Sequence, residues 1–104
     1  MIEIEFFEDD DGKEPFTEWF NSLTDKMAKV KLRQRLDRIK MGNLGDVKPV
    51  GKGISESKID YGGGYRIYFV ELKKRVLILY GGDKKTQAKD IKKSYEYYKK
   101  YKLR

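Results

Sequence analysis

Cysteine and histidine are both absent from this 104-residue chain. Without cysteine there are no disulfides and no thiolate metal sites. Without histidine the commonest catalytic base and the commonest metal ligand are missing too, so neither a metal nor a cofactor is expected. No apolar run is long enough to span a bilayer, and the acidic start does not resemble a signal peptide. No membrane association is therefore expected, and a reducing cytoplasm is the expected location. The length leaves no room for two cores, so residues 1–104 are read as a single domain.

What is present is charge and aromatic bulk. Charged residues make up 39% of the chain and hydrophobic ones 38%, with eight Tyr, five Phe and one Trp. That aromatic content argues for an ordered domain, since disordered chains lack it. The net charge of +7 hides an asymmetry. Residues 1–25 carry nine carboxylates and one lysine, a local charge of −8, and the remainder carries 23 basic and eight acidic groups, +15. Such a distribution suits a polyanionic partner. It equally suits a solvated, lysine-rich surface, and charge alone does not choose.

Ile2, Ile4 and Phe6 alternate with glutamates, the period of a half-buried strand. After an Asp9–Gly12 turn, Pro15 suits the first position of a helix, and Phe16, Trp19, Phe20 and Leu23 follow at helical spacing. Thr24-Asp25 offers the next N-cap, and Ala28, Leu32, Leu36 and Ile39 stripe a longer basic helix that Gly42 stops. Residues 42–53 read as a glycine-rich loop. Strands are expected at 54–60, 65–71 and 76–80, the last apolar throughout as in a central strand covered on both faces. Gly81-Gly82 is read as ending it. A final helix begins near Thr86, with Ile91, Tyr95 and Tyr98 on one face. The expectation is an α+β domain of order β-α-α-β-β-β-α, with a mostly antiparallel sheet, a helical hairpin near its start and a helix at its end.

Two motifs fail on inspection. Aligning Gly12 with the sixth position of a calcium loop places Asp9, Asp11 and Glu18 correctly but puts Phe7 at the first ligand position, after a strand instead of a helix. Gly82-Asp83-Lys84-Lys85-Thr86 lacks the glycines of a nucleotide phosphate loop, although a basic cluster after a central strand can still hold phosphate by charge and backbone N–H groups. The basic second helix has the pattern of helices that bind nucleic acid, membranes or proteins, and equally that of an ordinary solvated face.

The densest stretch is Lys58 to Phe69. Arg66 and Lys58 fall on adjacent antiparallel strands, Lys84 and Lys85 follow the next strand, and tyrosines lie between. Cations interleaved with aromatics can grip RNA phosphates and stack bases. The competing reading pairs Arg66 with a carboxylate and buries the tyrosines.

Asp60-Tyr61-Gly62-Gly63-Gly64-Tyr65-Arg66-Ile67-Tyr68-Phe69 and Gly81-Gly82-Asp83-Lys84-Lys85-Thr86-Gln87-Ala88-Lys89-Asp90-Ile91 resemble two blocks of the RelE/HigB-like addiction module killer proteins. Phe16-Thr17-Glu18-Trp19 is similar to that family's first helix. The resemblance spans nearly the whole chain and implies the same element order. It further implies the toxin of a type II toxin–antitoxin system, an endoribonuclease (mRNA interferase) that cuts mRNA in the ribosomal A site and so inhibits translation. In that chemistry the 2′-OH attacks the adjacent phosphate, which calls for a base, an acid and cations but no metal. Carried onto this chain, Arg66, Lys84, Lys85 and Asp90 become candidate catalytic residues, and Lys58, Tyr61, Tyr65 and Lys89 candidate RNA-binding ones, with Asp83 as a further orienting group. Relatives that use a histidine as base are not matched, and of the C-terminal tyrosines Tyr95, Tyr97, Tyr98 and Tyr101, available in that role, helix placement favours packing for at least two. The implied partner is a HigA-like helix-turn-helix antitoxin that covers the basic site, or the acidic start and helical hairpin. Two alternatives are a ParE-like toxin that acts by protein binding without catalysis, and a ribosome- or RNA-binding module that does not cut.

Overall fold

A computed structural model describes all 104 residues. The elements in chain order are β1 (Glu3–Phe6), α1 (Pro15–Ser22), α2 (Lys26–Lys40), β2 (Asp46–Gly51), β3 (Ile54–Ile59), β4 (Tyr65–Leu72), β5 (Arg75–Gly82) and α3 (Gln87–Lys102), with one 3-10 turn at Lys84–Thr86 leading into α3. The domain is α+β. Its five strands form one sheet in the order β1-β5-β4-β3-β2. β1 runs parallel to β5, and the other three pairings are antiparallel.

The helix ends obey local chemistry. Asp25 caps α2, its carboxylate accepting from the N–H groups of Met27 and Ala28. At the other end Gly42, at φ +90°, reverses the chain. Its N–H donates to the Ile39 carbonyl and that of Asn43 to Arg38, the pairing of a Schellman stop.

One expectation is corrected. The stretch 42–53 is not all loop, because Asp46–Gly51 is a fifth strand paired with β3. Pro49 obscures it in the sequence, yet β2 lies at the sheet edge, where a residue without an N–H is tolerated. The order is therefore β-α-α-β-β-β-β-α.

The sheet is covered on both faces. Phe16 of α1 and Leu32 and Ile39 of α2 pack on Ile59, Ile67, Phe69, Val76 and Ile78. On the opposite face Ile91, Tyr95 and Tyr98 of α3 lie against Ile54, Tyr68, Val70, Leu77 and Leu79. β5 is thus buried on both sides, as its apolar run requires.

Gly81 and Gly82 do not end β5; they complete it. A Cβ on Gly81 would lie 2.3 Å from the Trp19 ring, and one on Gly82 1.8 Å from Oδ2 of Asp90. The paired glycines are therefore the points where α1 and α3 approach the sheet most closely, from opposite faces.

The charge asymmetry is partly internal. Asp9 and Asp10 accept ion pairs from Lys100 and Arg104 at the end of α3, at 2.9 and 3.1 Å. Glu5 takes Arg75 at 2.9 Å and the Tyr101 hydroxyl at 3.0 Å. The acidic start of the chain thus clamps the basic end of its last helix.

Candidate functional site

The register fixes which side chains meet. Lys58 stands opposite Arg66, and Arg66 opposite Gly82; one step along, Glu56 stands opposite Tyr68, and Tyr68 opposite Tyr80. Directly opposed residues share a face, and this is the face that α3 covers. The start of α3 and the turn before it close the end of that face. Asp83 caps the turn by accepting from the N–H groups of Lys85 and Thr86, and the Lys84 N–H reaches the Gly63 carbonyl at 3.2 Å. The glycine turn between β3 and β4 is thereby tied to the turn after β5, and Lys84 Cβ stands near Gly64.

Arg66 occupies the centre and is 6% exposed. Its Nη1 donates to the Gly64 carbonyl at 2.6 Å, and its Nε lies 3.3 Å from Oε2 of the equally buried Glu56. Nη2 makes no hydrogen bond within the chain and is not fully buried. It is the part of the guanidinium without a partner in the chain. Glu56 also accepts from the Gln87 amide at 3.0 and 3.1 Å, which joins β3 to the first residue of α3.

Asp90, one turn further along α3, is buried against Gly82 and accepts a short hydrogen bond from the Thr86 hydroxyl. Burial, opposed by that hydrogen bond, raises its carboxyl above the usual aspartate range. Tyr68, two residues along β4 on the same face as Arg66, is fully buried. Its hydroxyl is buried without a partner, and burial together with the nearby Glu56 and Asp90 carboxylates pushes its proton affinity far up. Tyr68 Oη is therefore a buried polar atom without a partner, beside the Arg66–Glu56 ion pair. Leaving such a group unpaired costs about 1–3 kcal/mol.

The residues singled out from sequence separate into two sets. Arg66, Lys58 and Asp90 lie on the α3 side, with Lys84, Lys85 and Lys89 exposed on the turn before α3 and on its first turn. Tyr61 and Tyr65 lie on the other face. They stack on each other at 6.3 Å, pack with the α1–α2 core, and the Tyr61 hydroxyl donates to Asp25 at 3.0 Å. The C-terminal tyrosines are engaged as well: Tyr95 donates to the Val50 carbonyl, Tyr97 stacks on Phe7 at 5.1 Å, and Tyr101 holds Glu5.

Glu56 and Gln87 were missed by the sequence reading. The available signal was alternation: Glu56 falls between Ile54 and Lys58 on the inward-facing side of its strand, where an unpaired carboxylate would be costly. No group of three or more carboxylates converges as a metal-ligand set.

No family model matches the chain, and no solved structure matches it. A protein of Haemophilus influenzae described as uncharacterized is 46% identical over 83 residues, covering 76% of this chain and 81% of that protein.

Proposed function

The chain belongs to one family with the uncharacterized Haemophilus influenzae protein, and we propose that it is the toxin of a type II toxin–antitoxin pair, a RelE/HigB-like endoribonuclease that cuts mRNA. The observation that carries this reading is the placement of Arg66 beside cationic positions: Lys58 stands opposite it on β3, and the turn that bears Lys84 is tied to the glycine turn just before it. The helical hairpin and the closing helix are in keeping with the order that the RelE-like resemblance implies, and β2 is a strand beyond it.

In the proposed reaction the 2′-oxygen of a nucleotide bonds to the adjacent phosphorus, and the bond from phosphorus to the 5′-oxygen breaks. The products are a 2′,3′-cyclic phosphate and a free 5′-OH, with one proton removed from the 2′-OH and one given to the 5′-oxygen. Two negative oxygens develop charge between these events, and cations held nearby stabilise them. Arg66 supplies Nη2 to that charge, while Glu56 and the Gly64 carbonyl fix its plane. Lys58 and Lys84 bind the flanking phosphates as mobile charges, with Lys85 and Lys89 at the rim. Asp90, a carboxyl of raised proton affinity, accepts a hydrogen bond from the Thr86 hydroxyl and so fixes the turn that carries Lys84 and Lys85. The partners in this reading are mRNA in the ribosomal A site and a HigA-like helix-turn-helix antitoxin, both in the cytoplasm.

A second reading is favoured by one feature: Arg66 is nearly buried and ion-paired, as a purely structural arginine would be. It makes the chain a ParE-like toxin that acts by binding protein. Induced expression of wild type, Arg66→Ala and Lys84→Ala, with primer extension on a reporter mRNA, separates the two. Cleavage is expected to fall by about 10²–10³ in Arg66→Ala, the usual cost of one donor to a developing oxyanion. Growth arrest without cuts in the wild type would overturn the nuclease reading in favour of the second.

A further inference from the structure

Beyond the cleft, a groove of about 390 Å³ runs between α3 and the turn joining β2 to β3. Lys52, Lys92, Lys99 and Lys102 line it together with Tyr95 and Tyr98, and Glu96 is the one carboxylate among its lining residues. Two of the lysine heads lie over the rings. Lys52 Nζ stands 4.9 Å from the Tyr95 centroid, and Lys102 Nζ 4.6 Å from that of Tyr98. Tyr95 is in turn pinned by its hydrogen bond to Val50.

Lys52 reaches this place at a cost. It adopts φ +54°, a left-handed conformation that disfavours an L side chain by about 1–2 kcal/mol. The turn lies directly on the two rings: a Cβ on Gly51 would meet the Tyr95 hydroxyl at 3.0 Å, and one on Gly53 the Tyr98 ring at 3.7 Å. A strained turn seated on two tyrosines thus delivers a fourth ammonium to a concavity that already holds three.

We propose that this groove is a track for the phosphodiester backbone of single-stranded RNA. Its ring faces are occupied by ammonium groups, so it meets phosphates and leaves bases unread, which makes it independent of sequence. Ile54 lines the groove and Glu56, the next residue on that face of β3, holds Arg66, so the two places lie on the same face of the sheet. From Lys92 to Lys102 the helix advances about 15 Å, enough for several phosphates. The choice of RNA over an acidic peptide rests on the reading of the cleft given above.

The test uses the full chain and a fluorescent 2′-O-methyl oligouridylate, whose blocked 2′-oxygen prevents cleavage, titrated over a range of salt. The triple variant Lys92→Gln/Lys99→Gln/Lys102→Gln is expected to bind at least roughly tenfold more weakly. Its slope of log K against log salt should be shallower by about 2, each lost contact to a single strand being worth about 0.7. Arg66→Ala is expected to change the slope by no more than about 0.7. Acetylation footprinting of the wild type should show the bound oligonucleotide protecting Lys52, Lys92, Lys99 and Lys102 more than Lys26 and Lys29 of α2. An unchanged slope in the triple variant, protection on α2 instead, or stronger protection of the groove by an oligoglutamate would each overturn the track. Cutting of unmodified RNA is scored separately, so a wild type that binds in the groove and never cuts would sink the nuclease reading and leave the track standing.

Discussion

Substituting Gly82 by Ala tests the packing of the cleft at its tightest point. The backbone there is not in the left-handed region, so alanine meets no conformational penalty. The conflict is steric: the new methyl carbon would lie 1.8 Å from Asp90 Oδ2 and 2.6 Å from its Cγ. An ordinary carbon–oxygen contact is about 3.3 Å, so the carboxylate must retreat by about 1.5 Å. Asp90 is short, buried and bonded to Thr86, and it can retreat only by giving up that bond or by lifting the start of α3. Overpacking of this kind costs about 1–3 kcal/mol, and a weakened buried hydrogen bond adds about 1 kcal/mol. A total of about 2–4 kcal/mol follows, which lowers Tm by roughly 10–25 °C for a domain of this size. Urea denaturation followed by far-UV circular dichroism measures it, and Asp90→Ala supplies the control because it removes the obstructing atoms. Gly82→Ala placed on Asp90→Ala should cost less than it does alone, with a coupling of about 1–3 kcal/mol. A single variant within about 0.5 kcal/mol of wild type, or two changes that simply add, would refute the close approach.

Glu56→Ala leaves the Arg66 charge buried without its partner and is expected to destabilise the fold by about 3–5 kcal/mol. Replacing both, as Glu56→Ala with Arg66→Met, should recover most of that loss in the same urea assay. Asp25→Ala removes the cap of α2 and should cost about 1 kcal/mol, seen as a lower urea midpoint at unchanged slope. Lys100 holds the Asp9 carboxyl below its usual range, chiefly through their hydrogen bond. The stabilisation from that depressed carboxyl is present above the ordinary value of 3.8 and is lost as pH falls through the lowered one. Lys100→Ala should therefore melt below wild type at pH 7, and the two curves should converge in strong acid; a constant gap across the titration would contradict the pairing.

Much of this arrangement is legible in the residues. Alternation in Ile2–Phe6 and in Tyr65–Val70 places the two faces of the sheet correctly, and the uniform apolar run Val76–Leu79 marks a strand covered on both sides. Local chemistry announces the Asp25 cap and the Gly42 stop. Failures arise where meaning depends on a distant partner. Pro49 hides β2 because its acceptability follows from an edge position that only the assembled sheet defines. Gly81-Gly82 looks like punctuation until Trp19 and Asp90 arrive from elsewhere in the chain. Tyr61 and Tyr65 neighbour Arg66 in sequence yet face the other way, while Glu56 and Gln87, 31 positions apart, meet over it.

The parallel pairing of β1 with β5 has a consequence for how the chain comes to be folded. Glu5 and Arg75 are 70 positions apart, and until β1 docks one edge of β5 stays open. That edge belongs to Val76-Leu77-Ile78-Leu79, a stretch with the composition that favours intermolecular strand pairing. Lys73, Lys74 and Arg75 stand at its start as gatekeepers. In the folded chain β1 covers that edge. Removing residues 1–8 should raise the concentration dependence of aggregation during refolding far more than the loss of one short strand from the native sheet would suggest.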